Sequence, residues 1–134
     1  MVNTKDIMMV QDSVDEPKYS NEISDKIRII FITTIPKSFY QLRGQLRYIG
    51  SHGFDVHCIS SPGPDLDAVV RRENAQIHPV LMHRSINPLF DVLSAIKIGL
   101  IILKLKPSII HAGTPKGGFL GIVVSTLLGV PNRI

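Results

Sequence analysis

The chain has a single cysteine, Cys58, among its 134 residues. No intrachain disulfide can form, which fits a reducing compartment. Cys58 lies in an apolar run and reads as buried packing rather than as a nucleophile. A membrane span needs about 20 apolar residues in a row. The most apolar stretch, 92–105, is too short and is interrupted by Lys97 and Lys104. The N-terminus lacks a basic region followed by an apolar one, the pattern of an export signal. Clusters of arginine and lysine interleaved with aromatics are missing too, so no nucleic-acid partner is expected. His52, His57, His78 and His83 show no metal-ligand spacing and Cys58 adds none, so no metal site is expected. Neither G-x-G-x-x-G nor G-x-x-x-x-G-K-[ST] occurs, which disfavours a dinucleotide-binding domain and excludes a P-loop.

What the chain does have is core-forming residues: 44% are hydrophobic and 19% charged. That balance suits a globular protein, and the length suits one domain. Charge is unevenly spread. Residues 1–26 carry six acids and three lysines, a balance of −3, so the remaining 108 carry +7. Residues 1–26 are polar and aperiodic and read as a disordered acidic extension. A body this basic suits anionic partners: phosphates, nucleotides or an anionic membrane surface.

The run IRIIFI at 27–32 is short, β-branched and almost wholly apolar, as in a strand buried on both faces of a parallel sheet. Residues 39–52 place Phe39, Leu42, Leu46 and Ile49 at helical spacing, which predicts one amphipathic helix. A second strand follows at 54–59, a loop at 60–64, a short helix at 65–75 and a third strand at 76–82. Pro79 favours an edge position or a strand end for that third strand. Residues 87–106 predict a helix with Pro88 in its first turn. Its apolar part reads as a buried crossover helix; an interfacial helix with lysines toward anionic lipid is the alternative. A fourth strand at 107–111, a turn, a helix at 119–128 and the start of a fifth strand at 132–134 complete the pattern. The alternation predicts an α/β fold with a doubly wound, Rossmann-like parallel sheet and right-handed crossovers.

Ligands of such sheets sit beyond the carboxyl ends of the strands. The turn 111–118 lies at one such end. His111 is expected to point its ring into the crevice, where imidazole can orient a hydroxyl or move a proton. Thr114 is expected to cap the next helix, with Pro115 at its first position. Gly117 and Gly118 allow close approach of a ligand or another backbone. Lys116 and the helix N-terminus suit an anion. A purely structural turn with a solvated lysine is the competing reading. In the loop after the first strand, Lys37, Ser38 and Arg43 either line the crevice or are solvated surface.

Residues 27–134 resemble the N-terminal domain of family-4-like glycosyltransferases, the retaining two-domain GT-B enzymes of bacterial capsule, O-antigen and exopolysaccharide synthesis. Four segments carry the resemblance: residues 32–63, 77–92, 106–121 with HAGTPKGG, and 127–134 with LLGVPNRI. The resemblance implies the N-terminal half of a GT-B glycosyltransferase. This half faces a lipid-linked or saccharide acceptor, and a C-terminal domain outside this chain binds the nucleotide-sugar donor. It implies hexosyl transfer with no cofactor, the nucleotide-sugar being a substrate. It implies a catalytic role for His111 and acceptor or phosphate contacts from Thr34, Lys37, Arg43, Gly44, Gly113, Thr114 and Lys116. A cytoplasmic location is implied, with peripheral contact to anionic lipid on the inner face of the plasma membrane. Many members carry a second histidine where this chain has Gly113, which leaves the role of His111 open. The chain is expected to be incomplete at its C-terminal end and inactive on its own. Two other readings stand beside this one: a fragment of a GT-B-fold sugar-nucleotide epimerase, and a non-catalytic domain that pairs with a separate donor-binding polypeptide.

Overall fold

The run IRIIFI forms strand β1 (Ile27–Ile32), whose last four residues are buried on both faces. A computed structural model describes residues 26–134. The acidic extension expected over 1–26 therefore lies outside the described residues, save Lys26. Around β1 stand β2 (Phe54–Ser60), β3 (Gln76–Pro79), β4 (Ile109–Ala112) and β5 (Asn132–Arg133), all parallel, in the order β3-β2-β1-β4-β5. The fifth strand is anchored by Ile134 N–H donating to the Ile110 carbonyl at 2.8 Å. The helices are α1 (Gln45–Ser51), α2 (Pro64–Glu73), α3 (Pro88–Leu105) and α4 (Pro115–Leu127), with a 3-10 helix at Pro36–Leu42. This is the expected doubly wound α/β sheet.

Strand pleating sends alternate residues to opposite faces, and the sheet separates two cores. Ile30, Ile32, Ile59 and Ile110 pack with Ile98 and Ile102 of α3 and with Leu120 and Val124 of α4. Ile29, Phe31, Val56 and Cys58 pack with Phe39, Leu46 and Val69 on the other side. Cys58 is wholly buried, and burial, aided by the charge of Glu73, pushes its thiol up to about 12. It is packing, as expected. The chain winds outward from β1 to β3, then returns through α3 to place β4 beside β1. The sheet therefore changes direction between β1 and β4, and a crevice opens there at the carboxyl ends of the strands.

Three elements differ from expectation. The single helix over 39–52 is two pieces. Arg43 leaves the helical region, and Gly44 adopts φ +81°, a left-handed conformation that glycine accepts without strain. The cause sits on α2: the buried carboxylate of Glu73 accepts the Gly44 N–H at 2.8 Å and the Arg47 N–H at 3.1 Å. It thereby caps α1 from outside. Burial alone would raise the Glu73 pKa, but the Arg72 guanidinium at 2.8 Å and the two N–H donors hold it below its ordinary value. The apolar period survives the break because Phe39 and Leu46 still bury on one side.

The third strand is shorter than its pattern, ending at Pro79, and it is an edge strand. A proline without an N–H is tolerated there. The third difference is α3. It is the crossover, capped by the Asn87 side chain, but only Ser94, Ile98 and Ile102 are buried. Its outer face is apolar and exposed, so the expectation of a buried crossover helix is corrected to a half-buried one. A long apolar pattern satisfies two faces equally well, and only the sheet decides which one is covered. No helix of the described residues is long and apolar enough to cross a membrane.

At the opposite end of the sheet from the crevice, a polar chain runs beneath the C-terminus of α3. Arg28 donates to the Leu105 carbonyl at 2.7 Å and meets Asp55 at 3.3 Å. Asp55 contacts His57 Nε2 at 3.0 Å, and His57 Nδ1 lies 2.9 Å from His78 Nε2. These contacts join β1, β2 and edge strand β3.

Candidate functional site

The crevice between β1 and β4 is closed at its base by two threonines. The Thr34 N–H donates to Thr114 Oγ1 at 2.9 Å, and the two hydroxyls lie 2.8 Å apart. The Gly117 N–H donates to Thr34 Oγ1 at 3.0 Å. Thr114 stands at the N-cap position of α4, and Pro115 opens the helix as expected. The expected capping by Thr114 is corrected: its side chain bonds no N–H of its own helix. Thr34 does that work from the far side of the crevice, because the β1 exit lies directly against the start of α4.

That close approach explains Gly117. A Cβ there would lie 2.8 Å from Thr114 Oγ1 and 3.0 Å from the Thr33 carbonyl carbon and the Thr34 nitrogen. Two of those atoms are backbone, so only glycine fits. Gly113 is different: its nearest neighbours would be Thr33 Cγ2 at 3.7 Å and the Ile32 carbonyl oxygen at 4.0 Å. A side chain has room at this position.

Above the threonines is a pocket of about 240 Å³ lined by Thr34, Ile35, Ser38, Arg84, Thr114, Pro115 and Lys116. It holds two cations beside the N-terminus of α4, a combination suited to an anion. The two are not equivalent. Lys116 Nζ lies 2.6 Å from Asp91 Oδ1 and donates to the Ser85 carbonyl at 2.5 Å. The lysine holds the Asp91 carboxyl below its ordinary range. Lys116 thus ties α4 to the start of α3, and much of its charge is already met. Arg84 is exposed and has no such carboxylate among the described residues. It is the less compensated positive charge at the pocket.

The other expected site residues are not gathered here. Lys37 is exposed on the 3-10 helix and does not line the pocket. Arg43 and Gly44 form the helix break, where Gly44 is bound to Glu73. His111 does not point its ring into the pocket. Pleat alternation puts it with Ile109 on the Phe31 face of β4, and its ring lies 5.1 Å from that of Phe31. Its Nδ1 is buried without a hydrogen-bond partner among the described residues. Sequence reasoning missed Arg84 and Asp91. Both lie in the segment 77–92, already marked by its likeness to the family, but no local pattern ties them to the turn 111–118. Among the described residues no three His, Cys, Asp or Glu side chains gather into a metal-holding group.

Comparison with known proteins adds the context. A family model described as glycosyl transferase 4-like matches residues 28–134. The capsular polysaccharide biosynthesis glycosyltransferase CapM of Staphylococcus aureus is 34% identical over 107 residues, which are 80% of this chain and 27% of CapM. The chain thus spans well under half the length of that curated relative. Among solved structures, a glycosyltransferase from Rickettsia africae superposes with a TM-score of 0.62 at 16% identity, covering 81% of this chain and 29% of that one. MurG of Acinetobacter baumannii gives 0.63 at 12% identity, over 79% and 32%. The glycosyltransferase VinC in complex with dTDP gives 0.57 at 12% identity, over 79% and 33%. At such identities the likeness shows the fold, which is the Rossmann-like half expected of a GT-B enzyme.

Proposed function

The chain belongs to the glycosyl transferase 4-like family, and from that membership we propose that it forms the acceptor-side wall of a hexosyltransferase in capsular or related polysaccharide synthesis. The pocket between β1 and β4 carries the reading. It lies at the direction change of the sheet, and Arg84, Lys116 and the α4 N-terminus give it a positive potential. The ligand is a lipid-linked or saccharide acceptor bearing an anionic group, held at this pocket with its sugar hydroxyl free to attack the donor. The donor is a nucleotide-sugar, bound by a second domain that also stabilises charge on the leaving diphosphate. The 134-residue polypeptide assayed alone is inactive on this reading, and the enzyme works at the inner face of the plasma membrane.

Arg84 and Lys116 have distinct parts. Arg84 faces the anion. Lys116 positions α4 against α3 through Asp91 and Ser85. Arg84→Ala is expected to weaken binding of a short-chain polyprenyl phosphate about tenfold or more, the scale of one charge-assisted contact, and to leave thermal stability unchanged. Lys116→Ala is expected to lower the melting temperature. His111→Ala, off the pocket, is expected to leave that binding unchanged. Titration calorimetry and melting curves on the three variants check this. A loss of binding with His111→Ala but not with Arg84→Ala would contradict the assignment.

A further inference from the structure

Lys116 walls the pocket between β1 and β4, yet its ammonium is turned elsewhere. The close polar partners of that ammonium are Asp91 Oδ1 at 2.6 Å and the Ser85 carbonyl at 2.5 Å. Neither Asp91 nor Ser85 lines the pocket. Both side chains of the ion pair are partly shielded, with 16% of Lys116 and 21% of Asp91 exposed. Such a pair is screened by salt less than a fully solvated one. It therefore withholds positive charge from a pocket whose other cation, Arg84, stands exposed.

The contact has the features of one that can be exchanged. Asp91 Oδ1 is buried and has no partner in hydrogen-bonding geometry among the described residues, so the ammonium meets it by charge rather than through a directed bond. Lys116 holds the Asp91 carboxyl below its ordinary range, so it is ionised at neutral pH. Losing the lysine does not strand that carboxylate. Asp91 Oδ2 accepts the Asn87 N–H at 3.2 Å, and Asp91 stands in the first turn of α3, where the helix dipole favours negative charge. The lysine can move as well: a flexible four-carbon stem carries three donors that turn easily, unlike the rigid fork of an arginine.

We propose that Asp91 is a built-in competitor for the Lys116 ammonium, and that an anionic group bound beside Arg84 draws the ammonium off it and into the pocket. The competition weakens binding of every anion by the same charge contact. A small free anion, held by Arg84 and Lys116 alone, has nothing further to offset that loss. An acceptor that adds contacts through its sugar or lipid does. Asp91 thus sets a threshold that keeps small anions from filling the site, because selectivity is a difference of affinities. It acts through Lys116 and touches no ligand, so it is a positioning residue. The inference deepens the reading above and rests on it for the pocket being an anion-binding acceptor site.

The probe is inorganic pyrophosphate, titrated by calorimetry into the 134-residue chain and its variants, with no donor or turnover needed. Asp91→Asn keeps the side-chain shape and removes the charge, and it is expected to raise pyrophosphate affinity about tenfold, the scale of one charge-assisted contact. A merely structural role would give a loss instead. A double-mutant cycle separates the contact from the general effect of removing a negative charge. Lys116→Ala is expected to weaken binding by about threefold or less in the wild-type chain, where Asp91 holds the ammonium, and by about tenfold or more beside Asp91→Asn. Equal losses in the two backgrounds would overturn the proposal, and so would an unchanged or lower affinity of Asp91→Asn shown by circular dichroism to be folded. A second measurement uses the unaltered chain: the carboxyl carbon resonance of Asp91 is expected to shift as pyrophosphate saturates the pocket. Pyrophosphate that moves the Arg84 signals and leaves that resonance in place would overturn the role of Asp91 and leave the pocket standing. Absence of binding by both the wild-type chain and Asp91→Asn would overturn the pocket itself, and this inference with it.

Discussion

Gly117 and Gly118 are neighbours in α4 with opposite demands. A methyl group at Gly117 meets the backbone of Thr33 and Thr34, whereas at Gly118 the nearest atom would be 3.7 Å away, an ordinary contact. Gly117→Ala is therefore expected to destabilise the protein by about 1–3 kcal/mol, the usual cost of overpacking. Gly118→Ala is expected to stabilise it by up to about 1 kcal/mol through helix propensity. Urea unfolding of the two variants checks this, and a larger loss at Gly118 would contradict the packing described for the β1 exit. At the residue scale the sequence was only partly legible. The turn 111–118 announced itself through its proline, lysine and glycines. The bond from Thr34 to Thr114 did not, because no local spacing records a contact between residues 80 positions apart. The orientation of His111 was missed for a related reason. Placing it at a strand end is possible from sequence, but which face it takes depends on the register of the pleat.

At the scale of elements, β3 is the weakly held edge, short and ended by Pro79. Its side-chain tie to β2 is the contact between His57 and His78. Burial lowers the His78 pKa below 6.5, and the nearby charges of His57 and Lys104 lower it further, with Asp55 opposing them. Asp55 would itself be raised by burial, but His57 and Arg28 hold it below its ordinary value, so it stays ionised near neutrality. The sign follows from linkage. The unfolded chain takes up a proton on His78 near pH 6.5, while the folded chain resists until lower pH. The stability present above pH 6.5 should thus fall as pH drops through 6.5 toward the lower folded pKa. Melting temperatures between pH 8 and pH 5 should show this loss, and His78→Gln should make it smaller. An unchanged slope in that variant would remove His78 from the account of edge-strand stability. Elements were the most legible level: the β-branched runs gave the strands, and Pro79 pointed to an edge position or a strand end, which β3 combines. The break at Gly44 was hidden because its cause, Glu73, lies on another helix.

At the scale of the whole molecule, sheet order does most to define function. β4 returns beside β1 rather than beside β3, and that single crossover creates the crevice and leaves α3 lying across the surface. The fold class was readable from the alternation of elements, but exposure of the outer α3 face was not. A helix apolar on most sides gives the same pattern whether one face or both are covered. The result is a molecule with a basic pocket at one end of the sheet and a basic, apolar helical face reaching it. On the proposed division of labour this chain recognises the acceptor and not the donor. The most direct test is an NMR titration of the isotope-labelled chain with a short-chain polyprenyl diphosphate carrying one hexosamine, and separately with a UDP-hexose. The predicted result is saturable shifts at Thr34, Ser38, Arg84 and Lys116 with the polyprenyl-linked sugar, and none at those residues with the UDP-hexose. Saturable shifts at the same residues with the UDP-hexose, and none with the polyprenyl-linked sugar, would contradict it.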